Sequence, residues 1–266
     1  MFRHPAVSQT LSFLNDVPRN TWYRDRIQQL VPGKIVFEAG CGSGLLAAYA
    51  LESGAKHYYG IDINKHRSAF TANLLDRLGY KDRHTVWCAD AGRITQEDIA
   101  EKVDLVICEQ TGHQMHNNFT MRDFFQNLRP LFPAADFLPD TWCLDAYIYE
   151  GCHEGNLPEY MPQILLDDPN LPRGYKQAVD SFDYIQPEMI KHNVLTITPD
   201  NSHESLAFDL DLTGFKSATI VLVDSIKFLN EPCISQSILT DCVVPASLVI
   251  ARANGKFHFH GMREKE

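Results

Sequence analysis

The sequence predicts an α/β protein with a Rossmann-like first part and a smaller, mostly antiparallel second part, and three observations carry that expectation. Over residues 1–150, short apolar β-type runs alternate with helical patterns, the signature of a parallel sheet with helices on its faces. After Glu150 the alternation stops. A glycine-rich turn, Gly40-Cys41-Gly42-Ser43-Gly44, sits between the first apolar run and the helical stretch that follows it. A chain of 266 residues with 44% hydrophobic content can bury one large core or two smaller ones.

In chain order, 34–40 reads as the first strand, 44–54 as a helix closed by Gly54, and 55–63 as the second strand. A helix over 66–80 and strands at 84–90 and 103–109 follow, then a helix near 121–132 and a strand at 141–150 assigned to the same Rossmann-like half. Residues 151–177 are Pro-rich and weakly helical. Beyond them, strand-like runs at 194–198, 205–212, 217–229 and 246–261 predict an antiparallel tail, and Asn254-Gly255 between two alternating runs is a strong hairpin signal. The domain expectation is therefore 1–150 and 151–266, with an inserted arm near 157–191.

Composition excludes several classes. No apolar run approaches the ~20 residues of a membrane span, and the first ten residues lack the pattern of a signal peptide, so a cytoplasmic location with no membrane partner is expected. Seven scattered cysteines without a C-x-x-C fit reduced thiols better than disulfides or zinc. His258 and His260 alternate on the last strand without an evident third ligand, so no metal is expected. A formal charge of −10 argues against general nucleic-acid binding and favours a basic substrate.

A strand-to-helix turn that lets backbone approach a ligand closely wants residues without Cβ, which makes the glycine turn a nucleotide-type site. A pyrophosphate turn would read G-x-G-x-x-G, but the third glycine here comes one residue early and Leu45 fills the expected place. Glu38 at the strand end would repel a diphosphate and attract a cation. Glu38-x-Gly40-x-Gly42-x-Gly44 therefore suits S-adenosylmethionine, and Asp62, ending the second strand, can accept both ribose hydroxyls. Asp90, followed by Ala91, stands where a side chain could bond the adenine amino group or simply cap a turn. Cys41 reads as a small space-filling residue.

Four segments, 14–27, 38–64, 103–119 and 181–193, resemble the protein arginine methyltransferases among class I S-adenosylmethionine-dependent enzymes. The resemblance implies a class I methyltransferase domain followed by a β-barrel-like domain with a helical dimerisation arm, hence a homodimer. It also implies that Arg19 grips the methionyl carboxylate and that Glu109 is the first of two glutamates holding a guanidinium. The chain departs from the family at the second: counting on gives Asn118, an amide that supplies an acceptor oxygen without the charge. The family's C-terminal His-Trp pair is not evident either. Asn118 reads equally as a turn residue or helix cap, and His113 and His116, in the same loop, as proton acceptors or exposed residues. The acceptor is expected to be arginine in a protein or a small guanidino or amino compound. A methyltransferase for another metabolite and a silent family member serving as a binding partner stay open.

Overall fold

The computed structural model describes residues 14–15, 17–99, 101–109, 120–150, 190–202, 207–211, 218–243, 247–253 and 256–262. Two compact units divide the chain, Met1–Gln110 with Asp123–Asp140 and Thr111–Arg122 with Thr141–Glu266.

The first unit is built on five strands, β1 (Ile35–Ala39), β2 (His57–Asp62), β3 (His84–Cys88), β4 (Leu105–Cys108) and β5 (Asp136–Leu138), in the order β3-β2-β1-β4-β5. All four pairings are parallel. Parallel strands need helices over their faces, so β1 and β4 are buried along their whole lengths; β4 is apolar throughout, and β1 is apolar except for Glu38. Helix α1 (Val17–Leu30) buries Arg19, Trp22, Tyr23 and Ile27, a spacing of three and four that lines up one face. Helix α2 (Leu45–Glu52) stops at Gly54, whose φ is +91°. There the Ala55 N–H bonds the Ala50 carbonyl at 3.0 Å and the Gly54 N–H that of Leu51 at 3.2 Å, the Schellman pattern that satisfies a helix's last carbonyls. Asn64 opens helix α3 (Lys65–Arg77) by accepting from the His66 N–H at 2.9 Å, and Ser68, Thr71 and Leu75 form its buried stripe.

Two expectations are corrected. The strand at 141–150 is not part of the parallel sheet: β6 (Thr141–Glu150) pairs antiparallel with β7 (Ile190–Ile197) and β9 (Ala218–Phe228). The last parallel strand is instead β5, three residues too short to show a periodicity. It is held by Phe137, which meets Phe124 and Phe125 of helix α4 (Thr120–Leu128) edge-on at 5.9 Å each.

The second unit contains two antiparallel sheets, one ordered β10-β9-β6-β7 and the other β12-β11-β8, where β8 is Ala207–Asp211, β10 Glu231–Val243, β11 Ser247–Ala253 and β12 Lys256–Met262. Ala253 pairs with Lys256, as the Asn254-Gly255 signal predicts, although those two turn residues lie outside the described ones. The β9–β10 turn was hidden from sequence reading because its φ > 0 positions are Leu229 (49°) and Asn230 (68°), and a leucine there gives no turn signal. The arm at 157–191 lies outside the described residues except for the start of β7.

Candidate functional site

Register brings the site together. Ala39 of β1 pairs with Ile61 of β2 and Cys108 of β4, so the next residue on each strand, Gly40, Asp62 and Glu109, leaves the same carboxyl end of three adjacent strands. The strand order reverses at β1, and in open α/β sheets the crevice beside such a reversal is where ligands bind.

The glycine turn is anchored by the Gly40 and Cys41 N–H groups on the Ile61 carbonyl at 2.8 and 2.9 Å. Its glycines answer different demands. Gly42 has φ +51° and a Cβ there would meet only the Gly40 carbonyl at 3.6 Å, so its backbone conformation is what asks for glycine. Gly44, with φ +75°, caps α2, and a Cβ would also press on Leu74 Cδ2 at 3.1 Å and Thr71 Cγ2 at 3.2 Å. The Thr71 hydroxyl donates to the Gly42 carbonyl at 3.2 Å and fixes the turn against α3.

Three acids gather around this turn. Asp62 is buried and accepts the Gly42 N–H at 3.0 Å and the Asn64 N–H at 2.8 Å, one on each oxygen. A carboxylate oxygen takes two donors, so each retains capacity for a ligand hydroxyl. Glu38 is 2% exposed, and among the described residues its one hydrogen-bond donor is the Tyr58 hydroxyl, 2.5 Å from Oε2. Burial raises the Glu38 carboxyl to about 8; the Tyr58 bond opposes this and the charges of Glu109 and Asp62 add to it. The same burial raises the Tyr58 hydroxyl and the Cys41 thiol, so both stay protonated near neutral pH and Cys41 is no ready nucleophile. Glu109 accepts from Arg19 Nη1 at 2.7 Å in a pair largely shielded from water. One turn on along α1, the Tyr23 hydroxyl donates to the Cys108 carbonyl at 2.8 Å, tying the helix to the end of β4 beside Glu109.

Of the residues singled out from sequence, Arg19, Glu38, Gly40, Gly42, Gly44, Asp62 and Glu109 thus lie around one strand-end crevice. Asp90 is an exposed cap: its carboxylate accepts the Gly92 N–H at 2.9 Å, with Ala91 opening the short 3-10 turn it closes. Asn118, His113 and His116 lie outside the described residues. Among the described residues no group of three or more metal-binding side chains occurs and no helix is long and apolar enough to cross a membrane; Cys41, Cys88, Cys108, Cys143 and Cys233 are free thiols. Sequence reasoning missed Tyr58 and Thr71, one concealed in an apolar strand pattern and the other in an ordinary helical one. It also missed that Arg19 and Glu109, 90 residues apart, meet.

The donor set suits a ligand that is cationic overall yet carries a carboxylate and a pair of hydroxyls. Three carboxyl groups stand against one guanidinium, and Gly42 leaves the turn bare on the side a Cβ would occupy. Residues 36–131 match the family model described as a methyltransferase domain. The fold of the first unit is that of the class I S-adenosylmethionine-dependent methyltransferases.

Within that class the chain resembles the protein arginine methyltransferases, as its four segments implied. It is 27% identical over 212 residues to the histone-arginine methyltransferase CARMER of Anopheles gambiae, covering 73% of this chain and 33% of that one. It is 31% identical over 117 residues to a probable protein arginine N-methyltransferase 6 of Arabidopsis thaliana, covering 43% and 26%. The chain thus spans about a third or less of the length of these two relatives. The crystal structure of PRMT6 superposes with a TM-score of 0.68 over 97% of this chain and 98% of that one, and at 13% identity this is a likeness of fold. The Trypanosoma brucei PRMT1 enzyme-prozyme heterotetramer with AdoHcy gives 0.58 at 15% identity, over 94% and 95%.

Proposed function

We propose that this chain is an S-adenosylmethionine-dependent N-methyltransferase that moves a methyl group to a guanidino or amino nitrogen of arginine, protein-bound or free, and that it works in the cytoplasm as a homodimer. The observation that carries the reading is the convergence of the glycine turn, Asp62 and the Arg19–Glu109 pair at the carboxyl ends of β1, β2 and β4. The relatives named as arginine methyltransferases support the substrate class, and the heterotetrameric neighbour supports assembly into an oligomer.

When bound, S-adenosylmethionine supplies an electrophilic methyl group on a sulfonium. Asp62 would accept the ribose hydroxyls, Arg19 would hold the methionyl carboxylate, and the glycine turn would pass under the ligand. Glu109 would draw in a cationic or N–H-bearing acceptor and orient its nitrogen for transfer. The acceptor nitrogen would release its proton to solvent on taking up the methyl group. The chain contributes orientation and exclusion of water rather than a covalent intermediate.

A radiolabelled methyl-transfer assay across free arginine, other guanidino compounds and arginine-rich peptides, with mass spectrometry of the product, tests the reading. Label on an arginine nitrogen is the expected result. Label only on an unrelated metabolite would leave the class and remove the substrate, and cofactor binding without any transfer would make the chain a silent relative. Asn118 gives the small-molecule reading its own support, because half of the family's acidic clamp is missing there. Glu109→Gln should cut turnover sharply. Asn118→Glu should improve kcat/KM for a guanidinium acceptor and impair it for an acceptor that reads the amide N–H.

A further inference from the structure

We propose that Tyr23 is a positioning residue for the site: it fixes helix α1 against the end of β4, so that Arg19 stays where it can grip a ligand carboxylate when the Arg19–Glu109 pair opens to admit one. Tyr23 touches no ligand in this role, which rests on the reading of Arg19 as the grip for the methionyl carboxylate.

Arg19 and Tyr23 both cross-link α1 to the end of β4, and they do so in step. They are four residues apart, which puts them on one face of the helix about 6 Å apart along its axis. Their partners are consecutive. Arg19 Nη1 donates to Glu109 Oε1 at 2.7 Å, and the Tyr23 hydroxyl donates at 2.8 Å to the carbonyl of Cys108, the last residue of β4. The two links differ in chemistry. The ion pair is open to exchange, because a ligand carboxylate competes for the guanidinium and a cationic acceptor competes for the carboxylate. The Tyr23 bond joins a hydroxyl to a carbonyl between two fully buried residues, so no charged group of a ligand replaces it, and breaking it takes a partner from two buried polar groups.

Packing places Tyr23 at the boundary between the anchored part of α1 and the part that meets the ligand. Toward the C-terminus Ile27 and, just past the helix, Val31 are fully buried. Toward the N-terminus Val17 is 66% exposed and Leu14 41%, so that end gains little from apolar burial. The Tyr23 ring is itself held by Trp22, edge-on at 5.0 Å, which carries the Arg26 guanidinium 4.7 Å over its face. On the other side of the bond, Cys108 pairs with Ala39, the residue before Gly40. Tyr23 thus refers Arg19 to the strand ends that carry the glycine turn and Asp62. A ligand that spans the ribose acceptor and the guanidinium needs the two at a fixed separation, and a shift of ~1 Å at one end is enough to lose a charge-assisted bond.

The test separates a ligand that uses the grip from one that does not. S-adenosylhomocysteine carries the amino-acid carboxylate, whereas methylthioadenosine shares its adenine, ribose and thioether and lacks the carboxylate. Calorimetry on the whole chain gives the affinity of each for the wild type and for Tyr23→Phe, which keeps the ring against Trp22 and removes only the hydroxyl. The ratio of the two affinities should fall about tenfold in Tyr23→Phe, through weaker S-adenosylhomocysteine binding, while methylthioadenosine shifts by no more than about twofold. Gly33→Ala, at the opposite end of β1 from the glycine turn, should leave the ratio as it is. In an Arg19→Ala/Glu109→Gln background there is no pair to position, so adding Tyr23→Phe should move the ratio by no more than about twofold. An equal loss for both ligands, or loss of the folded circular dichroism spectrum in Tyr23→Phe, would make the hydroxyl a purely structural group and overturn the proposal. A fall that persists undiminished in the Arg19→Ala/Glu109→Gln background would overturn it too. Wild-type protein that binds neither ligand would remove the cofactor reading, and this proposal with it.

Discussion

Gly44 and Gly33 share a backbone angle, φ +75°, and differ in their surroundings, which makes them a controlled pair. An alanine at either must adopt the left-handed conformation, at about 1–2 kcal/mol. At Gly33, in the turn between α1 and β1, nothing lies within 4 Å of the added Cβ, so Gly33→Ala should cost that much and no more. At Gly44 the Cβ would meet Leu74 Cδ2 at 3.1 Å and Thr71 Cγ2 and Oγ1 at 3.2 Å. Leu74 can swing its methyl aside. Thr71 is fully buried and its hydroxyl is engaged with the Gly42 carbonyl at 3.2 Å, so it resists. Overpacking of this kind adds about 1–2 kcal/mol, for a total of roughly 2–4 kcal/mol at Gly44.

Urea titrations of the wild type and both variants, compared at equal slope, measure the difference directly. Calorimetry with S-adenosylmethionine supplies a second readout. Gly44→Ala displaces the turn and should weaken the cofactor by about tenfold or more, while Gly33→Ala, at the opposite end of β1 from the glycine turn, should leave it alone. If the two variants lose the same stability within ~0.5 kcal/mol, the close approach of α3 to the glycine turn is not what Gly44 serves, and the reasoning about the turn is refuted.

Three further outcomes are expected. Arg19→Ala leaves Glu109 shielded from water without its cation and should cost about 2–4 kcal/mol, with Glu109→Gln recovering much of that in the double variant; a strictly additive double-mutant cycle would mean the 2.7 Å pair is energetically idle. Because folding raises the Glu38 carboxyl from 4.5 to about 8, its neutral form stabilises the ligand-free protein below pH 4.5, and that contribution is lost as pH climbs to about 8. Relative to Glu38→Gln, the wild type should therefore lose on the order of 5 kcal/mol at most across that window in urea titrations, and parallel pH profiles would contradict it. Finally, Cys88 is exposed and Cys41 buried, so peptide-level mass spectrometry should find Cys88 alkylated well before Cys41, which burial keeps protonated; the reverse order would show that the glycine turn opens readily.

The parallel sheet was legible because its strands are short apolar runs punctuated by glycine, and the helices because their buried stripes follow the helical period, as in Ser68, Thr71 and Leu75. The limits of sequence reading have equally specific causes. Residues 141–150 have the composition of any buried strand, and direction is not written in composition: only the pairing with β9 and β7 shows that β6 runs antiparallel. Asp136–Leu138 is too short to register as a strand, and its place depends on distant partners, Leu105 to Ile107 of β4. Leu229 adopts φ +49° because the β9–β10 ladder imposes it, a tertiary override of a residue preference.

The site shows the same division between chemistry and partnership. That Glu38 and Asp62 matter could be argued from residue type at strand ends, since an acid there has few structural reasons to exist, whereas Arg19 and Glu109 were reached through the resemblance to the arginine methyltransferases. What each does is set by contacts that no local pattern encodes. Asp62 spends part of its acceptor capacity on the Gly42 and Asn64 N–H groups, which orients the carboxylate before any ligand arrives. Arg19 and Glu109, read separately as a carboxylate grip and a substrate acid, form a single pair at 2.7 Å. A ligand carboxylate reaching Arg19 therefore shares the guanidinium with Glu109, and a cationic acceptor reaching Glu109 competes with Arg19. Cofactor and acceptor are coupled through that one ion pair, so changing either partner should alter the binding of both.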